Sequence, residues 1–231
     1  MLKFSVLFLT SRKAMIEVED FGIWNTNEPY EIWLNGEKYM ESDRATQTIK
    51  NLKPDTDYEI QIKSKNDSSE ITVIHTDYEF ITLDVKRFQA VGDGIHDDTA
   101  AIQAAIMACP AQSRVWIPKG IYKVSSLFLK SNICIDLDDE AVLSGTIDRK
   151  MIPVLPGMIQ SYDEEKEYNL GSWEGNPLDC FASMITGIGV SNVVITGGGV
   201  LDGNAANDNW WEDDRAKIIA FRWRMMFLIN C

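Results

Sequence analysis

Histidine occurs only twice in these 231 residues, at His75 and His96, and cysteine only four times, at Cys109, Cys134, Cys180 and Cys231. Two distant histidines do not build a histidine-rich metal centre. The cysteines are widely spaced, with no Cys-x-x-Cys pair, which argues against both a zinc site and a disulfide framework. Three of them sit among apolar residues, where a free cysteine behaves as a small buried hydrophobe. Basic residues are also scarce: 22 Lys and Arg stand against 35 Asp and Glu, a formal net charge of −13. Such a balance argues against nucleic acid as a partner, because phosphate binding needs basic surface. It also looks awkward for an anionic sugar polymer, although salt screens long-range repulsion and a local basic groove overrides the total. No apolar run is long enough for a membrane span. The run Phe4 to Leu9 is followed at once by Arg12-Lys13 and by no small-residue cleavage site, so it reads as a first strand and not as an export signal. With 45% hydrophobic and 25% charged residues, the chain has the composition of a soluble globular protein with room for one large or two small domains.

What is present is organised around Arg87 to Cys109. Its first half is a glycine-punctuated turn, Gly92-Asp93-Gly94, followed by Asp97-Asp98. Its second half is helical in period, with Ile102, Ala105, Ile106 and Cys109 on one apolar face. Asp97 or Asp98 suits the N-cap, and its charge suits the helix N-terminus. Pro110 closes the helix. The aspartates lack the D-x-D-x-D spacing of a calcium loop, so they read as cap and turn residues. Short strand pieces follow, at Arg114 to Ile117, Ile121 to Val124, Leu127 to Leu129, Ile133 to Leu137 and Ala141 to Leu143. This opening, nearly continuous from Phe88 to Leu129, resembles the pectin-degrading β-helix proteins. In those proteins a GDG-x-x-DDT-x-AIQ-x-A helix covers the first coil of a right-handed parallel β-helix.

Residues up to about Thr82 read as all-β. Leu2 to Leu9 and Ala14 to Val18 are strand-length apolar pieces, and Tyr30 to Leu34 leads into Asn35-Gly36, a dipeptide made for a type I′ hairpin. The segment Leu52-x-Pro54-x-Thr56-x-Tyr58 resembles a fibronectin type III domain. The resemblance implies a tyrosine corner, with Tyr58 buried and bonded back to the preceding turn. Trp24 and Trp33 have two readings, as an exposed sugar-binding pair or as core aromatics; size favours the core. Asp77 to Lys86 reads as a short linker.

Two later segments echo each other: Ser131-Asn132-Ile133-Cys134-Ile135 and Ser191-Asn192-Val193-Val194-Ile195. Stacked solenoid coils produce such internal similarity. Between them Arg149 to Asn176, rich in proline, glycine and acidic residues and holding Trp173-Glu174-Gly175, breaks the pattern as a functional loop does. Next come Gly197-Gly198-Gly199-Val200-Leu201-Asp202-Gly203-Asn204 and the pair Trp210-Trp211. The glycines carry no GK[ST] or G-x-G-x-x-G and open no helix, so they are no phosphate cradle. Asp202 reads as a turn residue bonded to its own backbone. This segment, with Arg222-Trp223-Arg224 in place of Arg-Pro-Arg, resembles glycoside hydrolase family 28, the polygalacturonases. Arg215, Lys217, Arg222 and Arg224 either meet uronate carboxylates or form a surface salt-bridge cluster.

The resemblance implies an all-β protein: a fibronectin type III-like sandwich over residues 1–83, then the N-terminal portion of a right-handed parallel β-helix over 84–231. It implies hydrolysis of α-1,4 bonds between galacturonic acids, with inversion and without metal or cofactor. Inversion needs one carboxylic acid to protonate the leaving oxygen and another carboxylate to activate water. The family draws these from Asn-Thr-Asp and Gly-Asp-Asp motifs, assisted by Gly-His-Gly and Arg-x-Lys, and the first three do not occur in this sequence. The expectation is therefore no catalytic residue within these residues, an N-terminal fragment inactive alone, and substrate contacts from Trp173 and Glu174. Pectin or an oligogalacturonide is the expected partner, with no nucleic acid and no membrane, and the expected location is the cytoplasm. The rival readings are a non-catalytic, tail-spike-like polysaccharide-binding β-helix and a calcium-dependent pectate lyase.

Overall fold

The computed structural model describes residues 2–19, 22–160, 167–206 and 209. The chain divides into two units, Met1–Glu79 and Phe80–Cys231.

The first unit has seven strands: β1 (Phe4–Leu9), β2 (Ala14–Val18), β3 (Asn25–Leu34), β4 (Glu37–Arg44), β5 (Thr46–Ile49), β6 (Asp57–Lys63) and β7 (Thr72–His75). They form antiparallel sheets in the orders β1-β2-β5 and β4-β3-β6-β7. Alternation on each strand sends one face inward. Ala14, Ile16, Val18 and Ile49 of one sheet thus meet Tyr30, Ile32, Ile60, Ile62 and Ile74 of the other in a single core. This is the fibronectin type III-like sandwich. Asn35 and Gly36 both have positive φ, 49° and 81°, as a type I′ turn requires. The tyrosine corner forms too: the Tyr58 hydroxyl accepts from the Lys53 amide at 2.9 Å, although Tyr58 is half-buried, packed at the margin of the core.

The tryptophans are corrected. Trp24 is 83% exposed. Trp33 lies beside inward-facing Ile32, so strand alternation turns it to the outer face. There its Nε1 donates to Glu31 at 3.0 Å and the Lys63 ammonium stands 3.7 Å from its ring centre. Tyr30 fills the core volume instead.

The second unit is a parallel β-helix. Its strands are β8 (Thr82–Asp84), β9 (Asp93–Asp97), β10 (Arg114–Ile117), β11 (Gly120–Val124), β12 (Leu127–Phe128), β13 (Ile133–Leu137) and β14 (Ala141–Gly145), with α1 (Thr99–Ala108) between β9 and β10. An arm of three antiparallel pairs follows: β15 (Val154–Leu155) with β20 (Cys180–Phe181), β16 (Met158–Gln160) with β17 (Glu167–Asn169), and β18 (Ser172–Trp173) with β19 (Asn176–Pro177). The solenoid then resumes with β21 (Ile185–Thr186), β22 (Val193–Gly197) and β23 (Val200–Asp202). Three parallel sheets result: β8-β10-β13-β22, β9-β11-β14-β23 and β12-β21. They are called the first, second and third sheets below.

The sequence echo is one position seen on two coils. Ile133 pairs with Val193 and Ile135 with Ile195. Asn132 and Asn192, both left-handed at φ 59° and 54°, stack with a side-chain bond of 3.0 Å. Inward residues Val115, Ile117, Tyr122, Val124, Ile135 and Leu143 form the core, and α1 closes it with Ile102, Ala105, Ile106 and Cys109. Ile106 is fully buried, so truncation to alanine costs about 2–5 kcal/mol.

The cap differs from the expectation in one respect. Asp97 does accept from the Thr99 amide, at 2.9 Å. Asp98 stands at the N-cap position but makes no capping bond. Its buried carboxylate reaches back to the amides of Val91 and Gly92, at 2.5 and 2.9 Å. Gly92 fits because it has φ 66° and because a Cβ there would lie 2.8 Å from the Tyr122 ring.

Candidate functional site

The motif that dominates the sequence is spent on structure. Asp97 and Asp98 hold the turn as described, and the Thr99 hydroxyl accepts from the Ser125 amide at 2.9 Å. The Gln103 amide group grips Phe128 twice, donating to its carbonyl at 2.9 Å and accepting from its N–H at 2.7 Å. Asp93 accepts from the amides of Ile95 and His96 and faces the His96 ring at 2.7 Å. The His96 amide, then the Ile95 amide and the His96 ring bring its carboxyl down to about 2.

The glycine run is equally accounted for. A Cβ on Gly197 would lie 2.0 Å from the Leu137 carbonyl oxygen, and one on Gly198 would lie 2.1 Å from an Asp139 carboxylate oxygen. The run thus lies flat on the acidic turn of the preceding coil. Asp202 accepts from the Asn204 amide at 2.8 Å, the turn role read from the sequence.

The outward face of the second sheet carries two rows of side chains. Strand register places Ile121, Val142 and Val200 side by side, and places Asp97, Lys123, Ser144 and Asp202 in the adjoining row. Tyr122 and Leu143, between the rows, point inward. The arm springs from this sheet, leaving after Gly145 and returning at Ile185. It is no loose loop. Leu170 and Gly171 donate backbone N–H to the Gly157 carbonyl, Gly157 donates to Asp179 at 3.1 Å, and Ala182 donates to the Pro153 carbonyl. Gly157 is required, because a Cβ would come within 2.3 Å of the Leu178 nitrogen.

The two expected substrate contacts fall on one hairpin of this arm. Trp173 pairs with Asn176, and Glu174 and Gly175, at φ 48° and 84°, make the type I′ turn between them. Glu174 is exposed. Trp210, Trp211, Arg215, Lys217, Arg222, Trp223, Arg224 and residues 225–231 lie outside the described residues. Arg215-Ala216-Lys217 carries the Arg-x-Lys spelling, a motif that the reading of these residues as a basic cluster took to be absent. Among the described residues no group of three His, Cys, Asp or Glu side chains is placed to hold a metal ion.

Comparison with known proteins accords with this architecture. The profile of the family described as "Rhamnogalacturonase A/epimerase, pectate lyase-like" matches residues 82–145, from β8 through β14. An exo-poly-alpha-D-galacturonosidase of Dickeya chrysanthemi is 30% identical over 166 residues, 68% of this chain and 26% of that protein. The chain has the pectin-lyase-like β-helix fold of glycoside hydrolase family 28. The solved family 28 exopolygalacturonase of Yersinia enterocolitica has the same fold, with a TM-score of 0.59 at 22% identity over 94% of this chain and 43% of that one. The mannuronan C5-epimerase AlgE6 of Azotobacter vinelandii is 40% identical over 79 residues, 33% of this chain and 9% of that protein. The chain therefore spans about a quarter of the galacturonosidase and less of the epimerase.

Proposed function

We propose that this chain is part of an exo-acting polygalacturonase that hydrolyses α-1,4 bonds of galacturonan with inversion. The kinship with a galacturonosidase over two thirds of the chain supports the substrate class. The observation that carries the exo reading is the arm. A solenoid whose connections, apart from the one that carries α1, are short turns is interrupted among the described residues, after β14 of the second sheet, by a folded ribbon of antiparallel pairs. A rigid obstacle at the end of a substrate face restricts attack to chain ends. Trp173 and Glu174, at the tip of its last hairpin, are the residues we assign to sugar contact. The acid and base of the inverting step are not assigned to any carboxylate in the described solenoid, where Asp97, Asp98 and Asp202 are engaged by backbone amides.

The test is product analysis with the intact enzyme on polygalacturonate. Reducing ends should appear without ultraviolet-absorbing unsaturated product, and chiefly as monomer or dimer. Shortening the arm between Gly157 and Leu178 should shift products toward mixed oligomers. An unsaturated product would mark a lyase instead, and an unchanged product distribution would remove the arm from the account.

A further inference from the structure

The turn between β3 and β4 carries a reactivity that its structural role does not use. Asn35-Gly36 is the sole Asn-Gly pair in the 231 residues, and every other asparagine is followed by a residue with a side chain. Both residues of the pair are exposed. Asn35 donates its backbone N–H to the Glu59 carbonyl, and its side-chain Oδ1 accepts from the Glu59 amide, both at 2.9 Å. A donor at Oδ1 polarises the side-chain carbonyl, because it favours the negative charge that develops there when Cγ is attacked. The attacking group stands next along the chain. It is the Gly36 nitrogen, whose reaction with Cγ is intramolecular. Gly36 has no Cβ to obstruct a closing ring, and beyond its chain neighbours no heavy atom lies within 4 Å of the place a Cβ would take.

We propose that Asn35 is a modification site, at which the folded protein converts its own asparagine to aspartate and isoaspartate with water as the co-reactant. The Gly36 nitrogen gives up its proton and bonds to Asn35 Cγ. The bond from Cγ to the side-chain nitrogen breaks, and that nitrogen leaves as ammonia with the proton. Water then opens the cyclic imide. Attack at Cγ restores the main chain and leaves an aspartate side chain; attack at the main-chain carbonyl leaves the chain running through Cγ, as isoaspartate. Nothing is oxidised or reduced. The two products differ in what they do to the fold. Aspartate keeps an acceptor for the Glu59 amide. Isoaspartate adds a backbone atom to the turn that sets Leu34 opposite Glu37, and turn length fixes register. The disturbance falls on β4, an edge strand of its sheet. None of this depends on the galacturonan reading.

The experiment is incubation of the full chain in mildly alkaline buffer without denaturant, followed by peptide mass spectrometry of every asparagine over time. Fragmentation that cleaves N–Cα bonds tells aspartate from isoaspartate. Asn35 should convert ahead of all other asparagines. Gly36→Ala and Asn35→Gln, each checked for folding by thermal unfolding, should both lose the conversion: the first by shielding the nucleophile, the second by lengthening the side chain that must close the ring. Because Ala at φ 81° strains the turn, Asn35→Gln carries the comparison if Gly36→Ala does not fold. Asn35→Asp should unfold at the temperature of the unmodified protein, whereas the separated isoaspartate fraction should unfold lower and exchange its β4 amides faster. An Asn35 that stays an amide, or that lags behind another asparagine, overturns the assignment. Conversion that persists at position 36 alanine overturns the imide route, and an isoaspartate fraction as stable as Asn35→Asp overturns the claim on the turn.

Discussion

Removing the Gln103 amide should loosen the edge that the cap protects. The third sheet begins at β12, whose far side pairs with β21: Leu127 and Leu129 donate to the carbonyls of Met184 and Thr186, both at 2.8 Å. Phe128 therefore points its own N–H and C=O the other way, where a preceding coil would stand. The structure puts the Gln103 side chain there, and its amide reproduces the two bonds of a neighbouring strand. Each bond contributes about 0.5–1.5 kcal/mol net, and a polar group left dry costs about 1–3 kcal/mol. Gln103→Ala should thus destabilise the second unit by roughly 2–4 kcal/mol. Gln103→Glu offers a sharper test. At neutral pH the carboxylate still accepts from the Phe128 amide but faces its carbonyl with no proton to give. Its folded-state pKa is then raised above about 4.3. Stability should accordingly recover as pH falls through that raised value, while Gln103→Ala shows no such recovery. Urea unfolding followed by circular dichroism, with hydrogen exchange of the Phe128 amide, reads both effects. A loss below about 0.5 kcal/mol, the range of neutral surface changes, together with an unaltered Phe128 exchange rate, would refute the reasoning.

Tyr58→Phe should cost the first unit about 1 kcal/mol, the usual worth of one hydrogen bond, measured as a lowered denaturation midpoint. A larger loss would mean that the hydroxyl holds more than the exposed Lys53 amide. His75 sits with Nδ1 2.7 Å from Asp57 and Nε2 3.1 Å from Asp55. Both contacts act as hydrogen bonds only when both ring nitrogens carry protons, and Asp57 first, then Asp55, raises its pKa above the ordinary 6.5. Its contribution to stability is therefore complete below pH 6.5 and lost as pH rises through the folded value. Thermal unfolding of wild type and His75→Gln should differ most at pH 6 and converge as pH rises through the folded value; a constant gap would contradict this.

The parts legible in the sequence were those written in local grammar. Asn35-Gly36 announces its turn because few residues tolerate two successive positive φ values. The repeated Ser-Asn announces a coil because the same left-handed corner recurs on each turn of the solenoid. The helix announces itself by period, and its capping role by resemblance. What escaped were roles set by distant neighbours. Asp98 reads as an N-cap, but its partners lie six and seven residues back, across a turn whose closure only the fold decides. Trp24 and Trp33 read as core by size, yet strand phase decides the face, and Ile32 and Tyr30 take the inward positions. The arm reads as an irregular loop because its strands are two or three residues long and carry proline and glycine.

The arm's point of insertion has a consequence for how such a protein changes over time. In the coil before, Ser125 and Ser126 alone separate β11 from β12; in the next coil, residues 146–184 separate β14 from β21. The registers on either side are untouched, Leu143 still lying beside Tyr122 and Ile185 beside Leu127. Closing a longer loop costs about 0.6 kcal/mol per doubling of length, so four doublings amount to about 2.5 kcal/mol, a sum that the ribbon's own hydrogen bonds can offset. Whole accessory structures can therefore be gained, lost or exchanged at a solenoid corner while the coils above and below stay in step, so the outer surface can diversify without renegotiating the core.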